Sequence, residues 1–344
     1  MRILLIGNFS PLCEEEPLHN FTLLNLLKRD GHECRAINIG DTRSKDERIV
    51  NAGSYFDFIT KLISLGLRCK VIHFLTKGYV RPGLMKLMTT VFLGRLFRAK
   101  IIITLHSELF SIFGRLRSKM GGQQLLYFSF SLADRIICSD RHTFDVALTH
   151  HRAKEKFIII PSFILLPEEI SEKDTIRLRN LENKNRIIVF AGVSYPSLLF
   201  DILNDLLANY LDPGTGLAVC VSREDSVKLQ HVIKEASGER AGNIVFIEPD
   251  DPRLLTLALT RADLMLRTLS CDARILFKDI AFSIKRPAHG KRYLYFPVSV
   301  SFINEGNVMD LCARIMKNLI EEPAEALMPS EEDFYEKIKD IYPV

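Results

Sequence analysis

The chain has 344 residues, and its 46 basic and 42 acidic side chains give a formal net charge of +4. This length predicts two domains, because a single hydrophobic core rarely extends beyond about 250–300 residues. The seven cysteines are dispersed without a Cys-x-x-Cys pair, which argues against a disulfide framework or a zinc site. The sequence has no signal-peptide pattern and no uninterrupted apolar run of about 18 residues, so we expect a cytoplasmic protein.

Strand and helix patterns alternate through the first half of the chain. The apolar run MRILLIGNF predicts a buried strand, and the leucine spacing of HNFTLLNLLKRDGHEC predicts a helix that ends near Gly31. Four further runs predict strands: CKVIHFLT, KIIITLH, ADRIICSD and KFIIIPSFI. Such alternation is typical of a doubly wound parallel sheet, which we predict for residues 1–165.

The second half repeats this alternation after a polar interval. Residues 166–186 lack an apolar face, and we interpret them as a linker between domains. The runs RIIVFAGVS, GLAVCVS, NIVFIEP, ADLMLRT and YLYFPVSVSF then predict strands, so residues 187–328 form a second predicted doubly wound domain. Residues 329–344 begin with a capping-box pattern, Ser330 and Asp333, and predict a terminal helix.

One segment of the second half combines an apolar strand with an unusual density of charge. The strand ADLMLRT is followed by a short polar loop and then by ARILFKDIAFSI, which we predict to be a helix. Backbone N–H groups and the helix dipole favour anions where a strand leads into a helix. We therefore expect a phosphorylated ligand beside the charged residues of this segment: Arg267, Asp272, Arg274, Lys278 and Asp279.

The stretch from Phe58 to Met120 is strongly basic and contains a single acid, Glu108. Its twelve cations are Lys61, Arg68, Lys70, Lys77, Arg81, Lys86, Arg95, Arg98, Lys100, Arg115, Arg117 and Lys119. Apolar residues alternate with them, which suits helices that rest on an anionic membrane and equally suits helices with a solvated charged face. No nucleic-acid partner is predicted, because no recognition motif accompanies the charge.

The order of several motifs along the chain resembles the GT-B glycosyltransferases, in particular the retaining group known as glycosyltransferase family 4. MRILLIGNFSP resembles the opening strand of that group, IIITLHS the strand that ends on its active-site histidine, and ADRIICSD with KFIIIPSFI the stretches before its linker. RIIVFAGVS, NIVFIEP and LLTLALTRADLMLRTLSCD resemble its donor domain, and DFYEKIKDIY resembles the helix that crosses back to the first domain.

This resemblance implies two Rossmann-like doubly wound domains that face each other across a cleft. It implies transfer of a sugar from a nucleotide-diphosphate sugar to a polysaccharide or lipid-linked glycan, without a metal or another cofactor. His106 and Asp272 would be catalytic, and Asn8, Phe9 and Ser10 would lie on the acceptor side. The donor-binding residues would be Gly192, Val193, Ile247, Glu248, Arg267, Arg274, Lys278 and Asp279.

Two features depart from the pattern of that group. The group normally places Arg and Lys just after its glycine turn, where this chain has Ser194-Tyr195-Pro196-Ser197. It also has two glutamates separated by seven residues, where this chain has Asp272 and Ile280. Such cations stabilise charge that grows in the transition state, and Arg274, Lys278, Lys285 or Lys291 could replace them. The alternative is an accessory protein that keeps the fold, binds a partner transferase or a glycan, and transfers nothing.

Overall fold

The structure is a computed structural model. It describes residues 1–10, 12, 15–76, 81–106, 122–151, 153–167, 171–191, 196–237, 242–249, 251–269, 280–290, 292–304, 308–320, 336–338 and 340–342. The chain divides into two compact units. The first comprises Met1–Pro11, Glu16–Phe163 and Leu327–Val344, and the second comprises Leu12–Glu15 and Ile164–Ala326.

The first unit is built on a seven-stranded sheet whose described pairings are all parallel. The strands are β1 (Arg2–Gly7), β2 (Glu33–Asn38), β3 (Ile49–Asn51), β4 (Val71–Thr76), β5 (Lys100–Leu105), β6 (Arg135–Cys138) and β7 (Phe157–Ile159), in the order β3-β2-β1-β4-β5-β6-β7. The direction of strand order reverses between β1 and β4. Ligands of such sheets bind outside the carboxyl ends of the strands at this switch point.

Helices of the first unit pack on this sheet through apolar residues. They are α1 (Glu15–Arg29), α2 (Tyr55–Gly66), α3 (Arg81–Leu96), α4 (Gly122–Leu132) and α5 (Arg141–His150), followed by a 3₁₀ turn at Lys154–Lys156. Leu62 of α2, Val91 of α3 and Phe130 of α4 share one buried cluster with Ile72 and Ile103 of the sheet. These three helices therefore cover one face of the sheet.

The end of the chain belongs to the first unit. Ile338, Ile341 and Tyr342 are buried there. The Lys100 Nζ donates to the carbonyl oxygen of Ile341 at 2.9 Å, and the Tyr342 hydroxyl is hydrogen-bonded to Nδ1 of His73. The predicted capping-box residues, Ser330 and Asp333, lie outside the described residues.

The second unit contains another seven-stranded sheet, in the order β11-β10-β9-β12-β13-β14-β8. Its strands are β8 (Phe163–Leu165), β9 (Arg186–Phe190), β10 (Thr215–Cys220), β11 (Ile244–Ile247), β12 (Leu264–Leu269), β13 (Ile280–His289) and β14 (Tyr293–Asn304). The first four in this order pair in parallel, whereas β12–β13 and β13–β14 pair antiparallel. A second switch point lies between β9 and β12.

The helices of the second unit begin within the segment that the sequence indicates as a linker. They are α6 (Glu172–Arg177), α7 (Arg179–Glu182), α8 (Pro196–Asp205) with a π-helical turn at Leu206–Tyr210, α9 (Arg223–Ser237), α10 (Pro252–Leu259) and α11 (Val308–Ile320). A capping box between Ser171 and Asp174 starts α6, and Leu178 and Leu181 are buried. None of the helices in the described part of the chain is long and apolar enough to cross a membrane.

These two alternating units confirm the predicted α/β class with two Rossmann-like domains.

Two local expectations are wrong. The run KFIIIPSFI is divided between β7 and β8, which belong to different sheets, because Pro161 has no N–H and interrupts the strand. Ile280 begins a strand rather than continuing a helix, because Ile280, Phe282 and Ile284 also alternate with period two.

Candidate functional site

At the first switch point, the side chain of Asn20 on α1 links the residues that follow β1 and β5. Asn20 is fully buried, and its Nδ2 donates to the carbonyl oxygen of Asn8 at 2.7 Å. His106 directly follows β5, and its backbone N–H donates to the carbonyl oxygen of Thr76 at 2.9 Å. The Nε2 of His106 lies 3.1 Å from Oδ1 of Asn20. Because this amide oxygen can only accept, it holds the His106 proton on Nε2.

The loop after β1 is fixed by hydrogen bonds within the first unit. The backbone N–H of Phe9 donates to Oδ1 of Asn38 at 3.1 Å, and the Phe9 side chain is buried. Asn8 and Ser10 are partly exposed, and the Ser10 N–H donates to Oδ1 of Asn8 at 3.3 Å. A Cβ at Gly40 would lie 2.2 Å from that oxygen, so any other residue at this position would displace the Asn8 side chain. Asn8 and Ser10, rather than Phe9, can therefore present polar groups to a ligand.

Two further histidines lie beside His106. The ring of His19 packs against that of His106, with centroids 4.5 Å apart, and its Nδ1 accepts the backbone N–H of Phe163 at 3.1 Å. His73 on β4 is fully buried, and its Nε2 is hydrogen-bonded to Oγ1 of Thr104 at 2.7 Å. All three histidines line a cavity of about 20 Å³, which is large enough for one water molecule.

His73 is held in its neutral form. Burial, together with the smaller effect of the nearby His19, lowers the pKa of His73 to about 3. An imidazolium at this position would lose its hydration without gaining an acidic partner among the residues that line the cavity. His73 therefore serves as a neutral hydrogen-bonding group between Thr104 and Tyr342.

The second switch point places a largely buried cation beside the end of β9. The N–H of Ala191 donates to the carbonyl oxygen of Leu266 at 2.9 Å, and Arg267 is the next residue of β12. Only 8% of Arg267 is exposed. The predicted phosphate turn, Gly192–Val193, follows Ala191 directly but lies outside the described residues. Arg267 thus directly follows the residue that is hydrogen-bonded to Ala191, the last described residue before Gly192.

Lys285 of β13 shares a face of the second sheet with Arg267. Arg267 pairs with Ser283, and Lys285 lies two residues further along the same strand. Residues two apart in a strand project to the same side. Lys285 is 3% exposed, and its Nζ lies 5.8 Å from the centroid of the Phe296 ring. Two buried cations therefore occupy one side of β12 and β13, opposite the core that contains Leu266.

Of the remaining predicted site residues, only Ile247 and Glu248 lie in the described part of the chain. Ile247, at the end of β11, is fully buried, so it could approach a base only through its backbone. Glu248 follows it and is exposed. The predicted residues Gly192, Val193, Asp272, Arg274, Lys278 and Asp279 lie outside the described part of the chain. Across the described ranges, no group of three or more His, Cys, Asp or Glu residues could hold a metal ion.

Sequence reasoning proposed His106 as a site residue but did not indicate the residues that surround it. Asn20, His19 and His73 were missed because each lies inside an otherwise apolar helix or strand. A polar side chain inside an apolar run was the signal that could have indicated them. The contact between Asn20 and His106 joins residues 86 positions apart, which a local pattern does not encode.

No protein-family model matches the chain, and no curated protein matches it. Solved structures that resemble it include Anabaena Alr3699/HepE in complex with UDP, at 15% identity over 77% of this chain and 73% of that chain, with a TM-score of 0.46. Another is the UDP-GlcNAc 2-epimerase from Methanocaldococcus jannaschii, at 9% identity over 78% of each chain and a TM-score of 0.47. A glycosyltransferase from Rickettsia africae ESF-5 has 13% identity over 77% of this chain and 72% of that chain, with a TM-score of 0.43.

Proposed function

We propose that this protein is a GT-B glycosyltransferase that transfers a sugar from a nucleotide-diphosphate sugar to a polysaccharide or lipid-linked glycan, with retention of configuration. The observation that carries the proposal is the buried Arg267 beside the end of β9, which directly precedes the turn predicted at Gly192. A guanidinium group pairs with a diphosphate through two parallel hydrogen bonds. A glycine turn lets backbone N–H groups approach the same phosphates.

Under this proposal, the described residues would have distinct roles in the reaction. Arg267 would bind the diphosphate, and Lys285 on the same face would add a second positive charge as the leaving group departs. This pair would replace the cations that the chain lacks after its glycine turn, so the proposed reaction requires no metal. In the first unit, His106 would hydrogen-bond the transferring sugar, and Asn20 would fix the orientation of its ring.

The proposal locates the protein in the cytoplasm, where nucleotide sugars are the donor substrates for polysaccharide biosynthesis. The acceptor would approach the partly exposed Asn8 and Ser10. Ile247 and Glu248 are the two residues predicted to flank the nucleotide base. Of these, only Glu248, directly after β11, has an exposed side chain that could contact the base.

Thermal unfolding with a panel of nucleotides tests this proposal. UDP, GDP, ADP and CMP, and sugars attached to them, would be added separately. At a concentration about 100 times its Kd, a bound ligand stabilises the folded state by about 2.7 kcal/mol. Arg267→Gln should abolish the shift, whereas Arg223→Gln, an exposed arginine of α9, should retain it. If no nucleotide or nucleotide sugar shifts the Tm, the proposal is wrong.

A second candidate function is that of an accessory protein with the same fold. The specific observation that favours it is the strand β13, which begins at Ile280 where the second glutamate of the group would stand. An accessory protein could still bind a nucleotide sugar. Release of free nucleoside diphosphate in the presence of glycan acceptors distinguishes the two functions: the transferase releases it, and the accessory protein does not.

A further inference from the structure

Helix α3 carries large apolar residues on its outer surface as well as on its inner one. Leu84, Leu87 and Val91 pack against the first sheet. Met85, Met88, Phe92 and Leu96 are exposed and are spaced by three, four and four residues, which places them on one stripe. The exposed fraction reaches 63% for Phe92 and 70% for Leu96. A soluble surface helix normally carries polar residues on that side.

The helices on either side of α3 extend this apolar surface. The hydroxyl of Tyr55 on α2 is hydrogen-bonded to Oγ1 of Thr89 at 2.5 Å, and Arg95 donates to the carbonyl oxygen of Leu132 on α4 at 2.6 Å. Leu67 after α2 and Phe128 on α4 are also exposed. We call the exposed surface formed by Met85, Met88, Phe92, Leu96, Leu67 and Phe128 the apolar helix face.

The charge that surrounds the apolar helix face is positive. The helices α2, α3 and α4 together contain one acid, Asp57, and that carboxylate is paired with Lys61 at 2.6 Å. Exposed cations flank the apolar residues at the carboxyl ends of α2 and α3: Arg68, Lys70, Arg95 and Arg98. Arg95 is paired with Asp134, which lies beyond α4. Arg68 and Lys70 also line an open recess of about 380 Å³ with Arg2 and Glu33.

We propose that the apolar helix face binds an anionic membrane surface. Phe92 and Leu96 would enter the boundary between headgroups and acyl chains, and Arg68, Lys70 and Arg98 would contact lipid phosphates. Apolar stripes bordered by cations are typical of helices that lie in the membrane interface. A second copy of this chain fits this surface less well, because both copies would bring the same cations into one contact, while the single acid of α2, α3 and α4 is already paired with Lys61. This inference does not depend on the proposed function.

Co-sedimentation with lipid vesicles tests the membrane assignment without any nucleotide. Vesicles of phosphatidylcholine alone would be compared with vesicles that contain about 30% phosphatidylglycerol. The protein should bind the anionic vesicles, and binding should weaken as salt rises from about 0.1 M to about 1 M, where exposed charges are screened. Arg68→Gln with Lys70→Gln should weaken binding at low salt.

A matched pair of double variants tests the apolar contribution. Phe92→Ser with Leu96→Ser should reduce the bound fraction by roughly fivefold or more, because two apolar groups no longer enter the interface. Ile176→Ser with Val227→Ser removes residues that are 68% and 62% exposed in the second unit, and should leave binding unchanged. Equal loss in both pairs would overturn the proposal, as would failure of the unaltered protein to bind anionic vesicles.

The absence of tryptophan from the chain allows a second measurement that does not require a disruptive substitution. The fluorescence of Phe92→Trp should shift to shorter wavelength when anionic vesicles are added, because the indole leaves water. The fluorescence of Val227→Trp should not shift. An unchanged Phe92→Trp spectrum would overturn the proposal. A stable dimer that Phe92→Ser with Leu96→Ser dissociates would also overturn it and assign the face to a second copy.

Discussion

The Oδ1 atom of Asn20 lies 3.1 Å from Nε2 of His106, and the Nδ2 atom of the same amide donates to the carbonyl oxygen of Asn8. One side chain thus fixes both the predicted catalytic histidine and the loop predicted to face the acceptor. Asn20 is therefore a positioning residue. Its amide orients the His106 ring and does not itself contact a substrate, so a substitution of Asn20 acts through His106.

Asn20→Asp should raise the pKa of His106. A carboxylate beside Nε2 stabilises the imidazolium form, whereas the amide oxygen of the native residue carries no charge. The measurement is an NMR titration of the His106 ring, together with the pH profile of transfer activity. Asn20→Ala is the control, since it removes the hydrogen bond without adding charge, at a cost of about 1–3 kcal/mol for the partners left buried. An unchanged titration in Asn20→Asp would show that the two groups are not coupled.

The stability of the protein should fall as the pH decreases below about 6.5, and His73 should account for part of this loss. The pKa of His73 is about 3 in the folded protein, against an ordinary value of 6.5. Between these values the unfolded chain binds the additional proton, so the folded state loses up to about 1.4 kcal/mol per pH unit. Above pH 6.5 the contribution of His73 is constant.

Urea denaturation at pH 7, 6 and 5 measures the His73 effect as a change of slope with pH. His73→Gln should reduce the dependence of the free energy of unfolding on pH, even if the variant is less stable throughout. His231→Gln removes an exposed histidine of α9 and should preserve the native dependence. The same slope in His73→Gln as in the native protein would contradict the assignment.

Arg267→Lys should weaken nucleotide binding although it preserves the charge. An ammonium cannot form the two parallel hydrogen bonds that a guanidinium makes with a diphosphate. Loss of one charge-assisted hydrogen bond of about 1.5–3 kcal/mol corresponds to a Kd that is roughly 10- to 150-fold weaker. Isothermal titration calorimetry gives this ratio, and Arg253→Lys, at an exposed site on α10, provides the reference. Equal affinities for the two variants would mean that Arg267 does not contact the phosphates.

Two glycines of α3 should respond in opposite ways to substitution by alanine. A Cβ at Gly94 would lie 2.3 Å from Cδ1 of Ile101, a buried side chain of β5, so Gly94→Ala should destabilise the protein by about 1–3 kcal/mol. A Cβ at Gly83 would meet no atom within 4 Å. Gly83→Ala should therefore stabilise the protein by about 0.5–1 kcal/mol, because alanine has the higher helix propensity. Chemical denaturation of the two variants checks both signs.

The parallel strands were the most predictable part of this fold. Runs such as Ile101–Ile103 are buried on both faces of the first sheet, and continuous apolar sequence is typical of such strands. The short edge strand β3 was missed because three residues carry too little pattern. Helix α2 was also missed, although Ser54 accepts the N–H of Asp57 at its amino end and could have indicated a helix start.

The second half was harder to predict where the sheet stops being parallel. IAFSIKRPAH contains apolar residues that satisfy both a helical and a strand period, and the resemblance to a known group favoured the helix. The antiparallel register then placed Lys285 on the same face as Arg267, which sequence spacing alone could not establish. For the candidate site, His106 was indicated by the resemblance of IIITLHS to the strand that ends on the active-site histidine of that group. Its partner Asn20 became apparent only through the fold.

The division of KFIIIPSFI between two sheets limits how the protein can be divided into separately expressed fragments. A fragment that starts at residue 166 would lack β8, and the backbone groups of β14 that pair with it would be exposed. Such open edges recruit strands from other molecules. A fragment that ends at residue 165 would lose Tyr342, whose hydroxyl contacts His73. Recombinant halves made at the apparent boundary should therefore precipitate, and crystallisation or NMR work should begin with the intact polypeptide.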